Sequence, residues 1–200
     1  MQHKFYIYRE KRGLGHPETA ALVKKAAAAA LRAEGVDEPC EIGVTLTNDE
    51  GIHVINREQR GVDRPTDVLS FPIDEMDYDT NRRYLGDMVL SLERAEAQGE
   101  EYGGGFKHEA QYLTVHSVLH LLGYDHLDEG EEKAKMRARE KAIMKELGHD
   151  HHLRTAQRRQ VLPDERSRRG KDRHRIQQTA DDAKPHHRRV PARGDAVRIS

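Results

Sequence analysis

A chain of 200 residues, 36% hydrophobic and 34% charged, can form one domain with a hydrophobic core and leave some sequence over. Its one cysteine, Cys40, excludes an internal disulfide framework, and no stretch has the length and apolar character of a transmembrane helix. We found no signal-peptide pattern at the N-terminus, so the sequence predicts a soluble, cytoplasmic protein with no membrane partner.

The first half of the chain predicts two strands and two helices. Aromatic, β-branched or alternating apolar residues indicate the strands, and the second strand is expected to be half-buried. An Ala-rich interior followed by a glycine indicates the first helix, and a capping side chain indicates the second. In chain order, these elements are a strand at Phe5–Tyr8, a helix at Pro17–Glu34, a strand at Glu41–Thr47, and a helix from Asn48 or Asp49 to about Gln59.

The following residues predict two more strands and three more helices. A loop that begins at Arg60 leads into the first of these strands, and glycines end the helices. In chain order, these elements are strands at Val68–Phe71 and Gly86–Ser91, then helices at Leu92 to about Tyr102, Phe106–Leu122 and roughly Glu129–Leu147. Strands grouped early, with helices between and after them, predict an α+β (mixed α/β) fold in which a small sheet packs with several helices.

The last quarter of the chain has a different composition. Residues 1–150 carry 20 basic and 29 acidic side chains, whereas residues 151–200 carry 14 and 6, so the net charge of −1 conceals an asymmetry. Residues 149–200 also have few apolar residues and no helical or strand period, which predicts a basic, disordered tail after a domain of residues 1–148. An electrostatic tether to RNA and a dispensable solvated extension are both open interpretations of this tail.

Three histidines in the segment HSVLHLLGYDH have the spacing of a metal site. His116 and His120 are four residues apart on one face of a predicted helix, with Cβ atoms about 5–6 Å apart. Gly123 lets the chain turn back after the helix, so that His126 can supply a third nitrogen. Three neutral imidazoles with an open fourth position are typical of a catalytic zinc site. We therefore predict one Zn²⁺ ion on this helix and the turn after it.

The same residues leave other classes of protein open. A pair of histidines at this spacing is also common on surface helices, and the pair alone would leave a ligand role undecided. Ser117 stands where the zinc peptidase signature HExxH has its glutamate, which argues against a peptidase of that kind. A zinc hydrolase of another class and a non-catalytic assembly factor remain the alternatives.

Three segments of the chain resemble the signatures of the bacterial YbeY endoribonucleases, a family of rRNA maturation factors. They are HSVLHLLGYDH at His116–His126, RPTDVLSFP at Arg64–Pro72 and LGDMVLS at Leu85–Ser91. Their order and spacing also agree with the family. The resemblance covers roughly residues 1–148 and does not include the tail.

The resemblance implies a single-strand-specific, metal-dependent endoribonuclease that matures the 3′ end of 16S rRNA and takes part in ribosome quality control. Its partners would be single-stranded RNA and the small ribosomal subunit. His116, His120 and His126 match the family's zinc ligands, and Arg60, in INREQRG, matches an arginine near the metal. Ser117 stands where many members have glycine, which is a small change on the helix.

Aspartates within these segments are further candidates for acid–base chemistry. Asp67 and Asp87 could serve in this way, but a turn or cap role for Asp67 and a backbone contact for Asp87 are the favoured interpretations. Asp125 could orient one of the imidazoles from behind. The sequence identifies no general base.

Overall fold

The computed structural model describes residues 3–124 and 130–149. The described residues form four strands and five helices, which confirms the predicted α+β fold. Every predicted element is present, and most boundaries agree within two residues. In chain order they are β1 (Lys4–Arg9), α1 (Thr19–Ala33), β2 (Cys40–Thr47), α2 (Asp49–Arg60), β3 (Val68–Asp77), β4 (Arg82–Ser91), α3 (Leu92–Glu101), α4 (Gly105–Leu121) and α5 (Glu131–Glu146).

The strands form one mixed sheet in the order β1-β2-β4-β3. Strands β1 and β2 are parallel, as are β2 and β4, while β3 runs antiparallel to β4 as the other half of a hairpin. The prediction that β3 ends at Phe71 was wrong, because the strand continues to Asp77. The register with β4 shifts between Pro72 and Glu75, and Asp74 has a φ of 57° within this irregularity. The bulge allows pairing to resume where the sequence pattern is broken.

One face of the sheet carries the main core. Helices α1 and α4 pack there, and inward-facing residues of β2 and β4 such as Ile42, Leu46 and Leu90 are fully buried. The prediction that β2 is half-buried was wrong, because seven of its eight residues are buried. Strand β2 lies between β1 and β4, and on its other face the side chains of Tyr84 and Asp87 lie over Gly43. These side chains on one face and the helices on the other bury both faces of the strand.

Helix α2 packs on the opposite face of the sheet. Its buried Ile52 contacts Leu69 and Val89, and Ile55 packs against the same cluster. Asn48 caps the helix, since its side-chain oxygen accepts a hydrogen bond of 3.1 Å from the backbone N–H of Gly51.

Helix α4 is buried along most of its length and ends at the predicted glycine. Gly123 has a φ of 92°, and the N–H of Tyr124 donates to the carbonyl of Leu119 over 3.0 Å. This arrangement satisfies carbonyl groups that the end of the helix would leave unpaired. No helix in the described ranges is both long and apolar enough to cross a membrane.

Candidate metal centre

Helix α4 brings two of the predicted metal ligands together. The Nε2 atoms of His116 and His120 lie 3.2 Å apart, and the ring centroids are 4.6 Å apart in an edge-to-face arrangement. Two nitrogens that each lie about 2.0–2.1 Å from a tetrahedral ion are about 3.3 Å from one another. Both rings are partly buried. The pair therefore fits two of the three ligand positions of a three-histidine site.

The third predicted ligand, His126, lies outside the described residues, as does Asp125. Within residues 3–124 and 130–149, no three or more His, Cys, Asp or Glu side chains converge as they would around a metal ion. A three-ligand site in this fold therefore depends on the segment that follows Tyr124. The predicted zinc site stays a prediction.

A carboxylate from α5 contacts the other ring nitrogen of His116. Glu140 Oε1 lies 2.6 Å from His116 Nδ1, and Glu140 Oε2 accepts a 2.9 Å hydrogen bond from the hydroxyl of Tyr112. Glu140 is only 4% exposed. Glu140 was not among the site residues predicted from the sequence, although a signal was available. Glu140 lies on the same helical stripe as the buried Met136 and Ile143, where a glutamate is out of place unless it has partners.

The histidine helix is also joined to the segment RPTDVLSFP. The hydroxyl oxygens of Ser117 on α4 and Ser70 on β3 lie 2.8 Å apart. Ser117 is fully buried, so the position that holds glutamate in HExxH peptidases here holds a hydroxyl directed at the sheet.

Arg60 is the last residue of α2, and its side chain is exposed. Gly61 follows it in a left-handed conformation with a φ of 66°, which turns the chain away from the helix axis. Arg60 therefore lies on a helix end, whereas the sequence placed it at the start of a loop. Its proposed contact with the scissile phosphate stays a prediction.

Asp67 has the turn role that was favoured for it. Its Oδ1 accepts a 2.8 Å hydrogen bond from the N–H of Val68, and its Oδ2 accepts one of 3.2 Å from the amide of Gln98. The carboxylate thus ties the start of β3 to α3. Its oxygens have partners from the protein itself, which supports a structural role.

Asp87 contacts a side chain where the sequence suggested a backbone group. The hydroxyl of Tyr84 donates to Asp87 Oδ1 over 2.6 Å on the face of the sheet away from the histidines. Burial raises the pKa of Asp87, and the hydrogen bond from Tyr84 opposes this effect only in part. Burial and the contact with Asp87 also raise the pKa of Tyr84. The LGDMVLS segment is therefore adjacent to the main core, but its aspartate is separated from the histidine pair by the sheet.

Another hydrogen-bonded cluster fixes the end of α4. The hydroxyl of Tyr124 donates to Glu34 Oε2 over 2.6 Å, and Arg139 Nε donates to Glu34 Oε1 over 2.6 Å. The contact with Glu34 raises the pKa of Tyr124. The last described residue before the segment with His126 is thus anchored to both α1 and α5.

His149, the first residue of the predicted tail, is close to the domain. Its Nε2 lies 2.8 Å from Gln111 Oε1, and its ring meets that of His108 edge-on at 4.9 Å. Burial lowers the pKa of His149. The domain boundary predicted at residue 148 stays a prediction, as does the character of the residues after His149.

Comparison with known proteins gives a consistent result. The family model for Endoribonuclease YbeY matches residues 6–148. A curated protein named Endoribonuclease YbeY from Chloroflexus aurantiacus is 52% identical over 132 residues, which cover 64% of this chain and 86% of that protein. A protein of the same name from Desulfitobacterium hafniense is 45% identical over 135 residues, which cover 64% of this chain and 84% of the relative.

Among solved structures, the chain is similar to the solution structure of TM1509 from Thermotoga maritima. The two share 27% sequence identity with a TM-score of 0.46, over 72% of this chain and 91% of the other.

Proposed function

Because the chain belongs to the YbeY endoribonuclease family, we propose that it cleaves single-stranded RNA with one Zn²⁺ ion held by His116, His120 and His126. The observation that carries the proposal is the 3.2 Å separation of the two outer imidazole nitrogens on α4, which matches two ligands of one tetrahedral ion. Family membership supports RNA as the substrate, since the relatives are named endoribonucleases.

The chemistry of the site suits phosphodiester cleavage. When bound, a zinc ion with three neutral ligands supplies positive charge that polarises a phosphoryl oxygen and makes water a stronger nucleophile near neutral pH. The protein's own part is to orient the imidazoles as ligands and to bring the phosphate to them. The carboxylate of Glu140 behind His116 serves the first of these tasks.

Arg60 is proposed to serve the second task. Its guanidinium is exposed at the end of α2 and presents several N–H donors in one plane, which can grip two oxygens of a phosphate. In this position it would bind the scissile phosphate and stabilise the additional charge of the transition state.

The biological substrate is proposed to be rRNA. In this role the protein would act in the cytoplasm on the 3′ end of 16S rRNA and in ribosome quality control, with the small ribosomal subunit as its partner. The excess of basic residues after position 150 supports an additional electrostatic contact with RNA.

The decisive experiment combines metal content with RNA cleavage. Purified protein should contain about one zinc ion per chain, cleave a single-stranded RNA and spare a duplex, and lose activity with a chelator and regain it with Zn²⁺. His116→Ala should remove both metal and cleavage while the protein remains folded. His53→Ala is a matched control, because His53 lies on α2 and pairs with Asp63.

The alternatives give different results. Cleavage that survives in the folded His116→Ala protein would contradict the metal site. A zinc-loaded protein that cleaves a peptide and no RNA would indicate another class of hydrolase. A protein that binds zinc and rRNA but cleaves neither substrate would be a non-catalytic assembly factor.

A further inference from the structure

Three polar side chains meet where α5 packs against α4, beside the candidate metal centre. Tyr112 and His116 are four residues apart on α4, and both reach the same carboxylate, that of Glu140 on α5. Each oxygen of Glu140 has its own partner, at 2.9 Å and 2.6 Å. The side chain of Glu140 is 6% exposed and that of His116 is 13% exposed. Little water therefore competes for these contacts.

The chemistry of the three groups determines the direction of each hydrogen bond. An ionised carboxylate can only accept, and the phenol of Tyr112 donates to Oε2. The group that faces Oε1 must then donate, so the proton of the neutral His116 ring is on Nδ1. This tautomer leaves the lone pair on Nε2, the atom that lies 3.2 Å from His120 Nε2.

Burying the charge of Glu140 lowers the stability of the fold unless that charge has a use. The other buried residues of α5 include Met136, Ile143 and Met144, whose side chains are apolar. A carboxylate on this stripe loses its hydration and contributes no apolar contact in return. Elsewhere on α5, glutamates such as Glu131 and Glu132 are exposed to solvent.

We propose that Glu140, held in place by Tyr112, is a positioning residue of the metal centre that fixes both the tautomer and the orientation of His116 for metal binding. The inference rests on the proposed function, because it assigns Glu140 a role towards the proposed zinc ion. In proteins that bind metals through histidine, a hydrogen-bond partner on the second ring nitrogen raises the basicity of the ligand. Glu140 is such a partner, and its own second oxygen is fixed by Tyr112.

The first test needs neither metal nor activity. Nitrogen-15 NMR of the metal-free protein at about pH 8 reports which ring nitrogen of each neutral histidine carries the proton. We expect His116 to carry it on Nδ1. A His116 ring protonated on Nε2, or one that exchanges freely between the two tautomers, would overturn the proposal.

The second test measures zinc affinity by competition with a chelator. Glu140→Gln keeps the shape of the side chain but removes the charge, and we expect it to weaken zinc binding by about 10- to 100-fold. Tyr112→Phe removes only the group that holds Glu140, so a smaller loss is expected. Glu131→Gln, an exposed change on the same helix, is the matched control and should bind zinc as the wild type does.

The outcomes separate this role from a purely structural one. A structural role would lower the melting temperature of the metal-free Glu140→Gln protein and leave its zinc affinity unchanged, which would overturn the inference alone. A wild-type protein that binds no zinc would overturn the proposed function and the inference with it. Weaker zinc binding by Glu140→Gln, with the control unchanged, would support the assignment.

Discussion

Ser70 on the edge strand β3 and Ser117 on helix α4 share a hydrogen bond of 2.8 Å. Ser117 directly follows His116 in the sequence, and Ser70 belongs to the segment RPTDVLSFP. Two segments that are separated by more than forty residues thus meet next to the candidate ligand. Because β3 pairs only with β4 within the described sheet, this contact also holds the outer strand against α4.

The contribution of this contact can be measured with a double-mutant cycle. Ser70→Ala and Ser117→Ala should each lower the free energy of unfolding by about 1 kcal/mol, because each leaves one hydroxyl without its partner. The double variant should lose less than the sum of the two, with a coupling of about 0.5–1.5 kcal/mol. Urea unfolding of the four proteins gives these values. Strict additivity would show that the hydroxyls do not interact.

The buried carboxyl group of Asp87 should make the stability of the protein depend on pH. Burial raises its pKa in the folded protein, so the unfolded chain loses this proton at a lower pH than the folded one. Its contribution to stability is therefore greatest in acid and declines as the pH rises from the unfolded pKa, about 3.9, through the raised value. Asp87→Asn cannot ionise and lacks this decline.

The test compares the free energy of unfolding of the wild type and Asp87→Asn between about pH 3 and pH 7. The stability of the wild type relative to the variant should fall as the pH rises across this range. The difference between the two free energies of unfolding cancels the titration of the remaining carboxyl groups. A difference that is constant with pH, or one that favours the wild type as the pH rises, would contradict the raised pKa.

A side chain at position 43 should cause a steric clash in the same part of the sheet. A Cβ atom at this position would lie 2.0 Å from Asp87 Oδ1 and 3.0 Å from the hydroxyl of Tyr84. Gly43→Ala should therefore lower the free energy of unfolding by about 1–3 kcal/mol, because the Asp87–Tyr84 pair must move. In an Asp87→Ala background, the same change should cost less, since the nearest atom is gone. Equal costs in both backgrounds, measured by urea unfolding, would argue against this clash.

Much of the fold could be predicted from the sequence because the signals are local. The capping oxygen of Asn48 and the glycines that end α1 and α4 set helix boundaries through contacts within a few residues. The second half of β3 was missed for the opposite reason. Its strand continues through a bulge at Asp74, and only pairing with β4 makes that irregular stretch extended.

The site could be predicted only in part, for a similar reason. His116 and His120 are brought together by helical spacing alone, which the sequence displays. Glu140 and Ser70 reach the same helix through tertiary packing, at separations of 24 and 47 residues from their partners. Such contacts leave only an indirect trace in one sequence, like a glutamate on an apolar stripe.

Arg60 offers the sharpest test of how substrate is held. If its guanidinium binds the scissile phosphate, Arg60→Ala should reduce RNA cleavage by about 10- to 100-fold, which corresponds to the loss of about 1.5–3 kcal/mol from a charge-assisted hydrogen bond. The cleavage activity of Arg60→Lys should lie between that of the wild type and that of Arg60→Ala, because an ammonium group keeps the charge but not the two-pronged geometry. Zinc content should be unchanged in both variants.

Arg57 provides the matched control for Arg60. It is also exposed and lies one turn earlier on α2, so Arg57→Ala removes the same charge from the same helix. If Arg60 acts only through the general electrostatic attraction of RNA, the two alanine variants should lose similar activity, and higher salt should reduce the difference from the wild type. A loss confined to Arg60, and retained at high salt, would instead indicate direct contact with the phosphate. Full activity of zinc-loaded Arg60→Ala would exclude the residue from the mechanism.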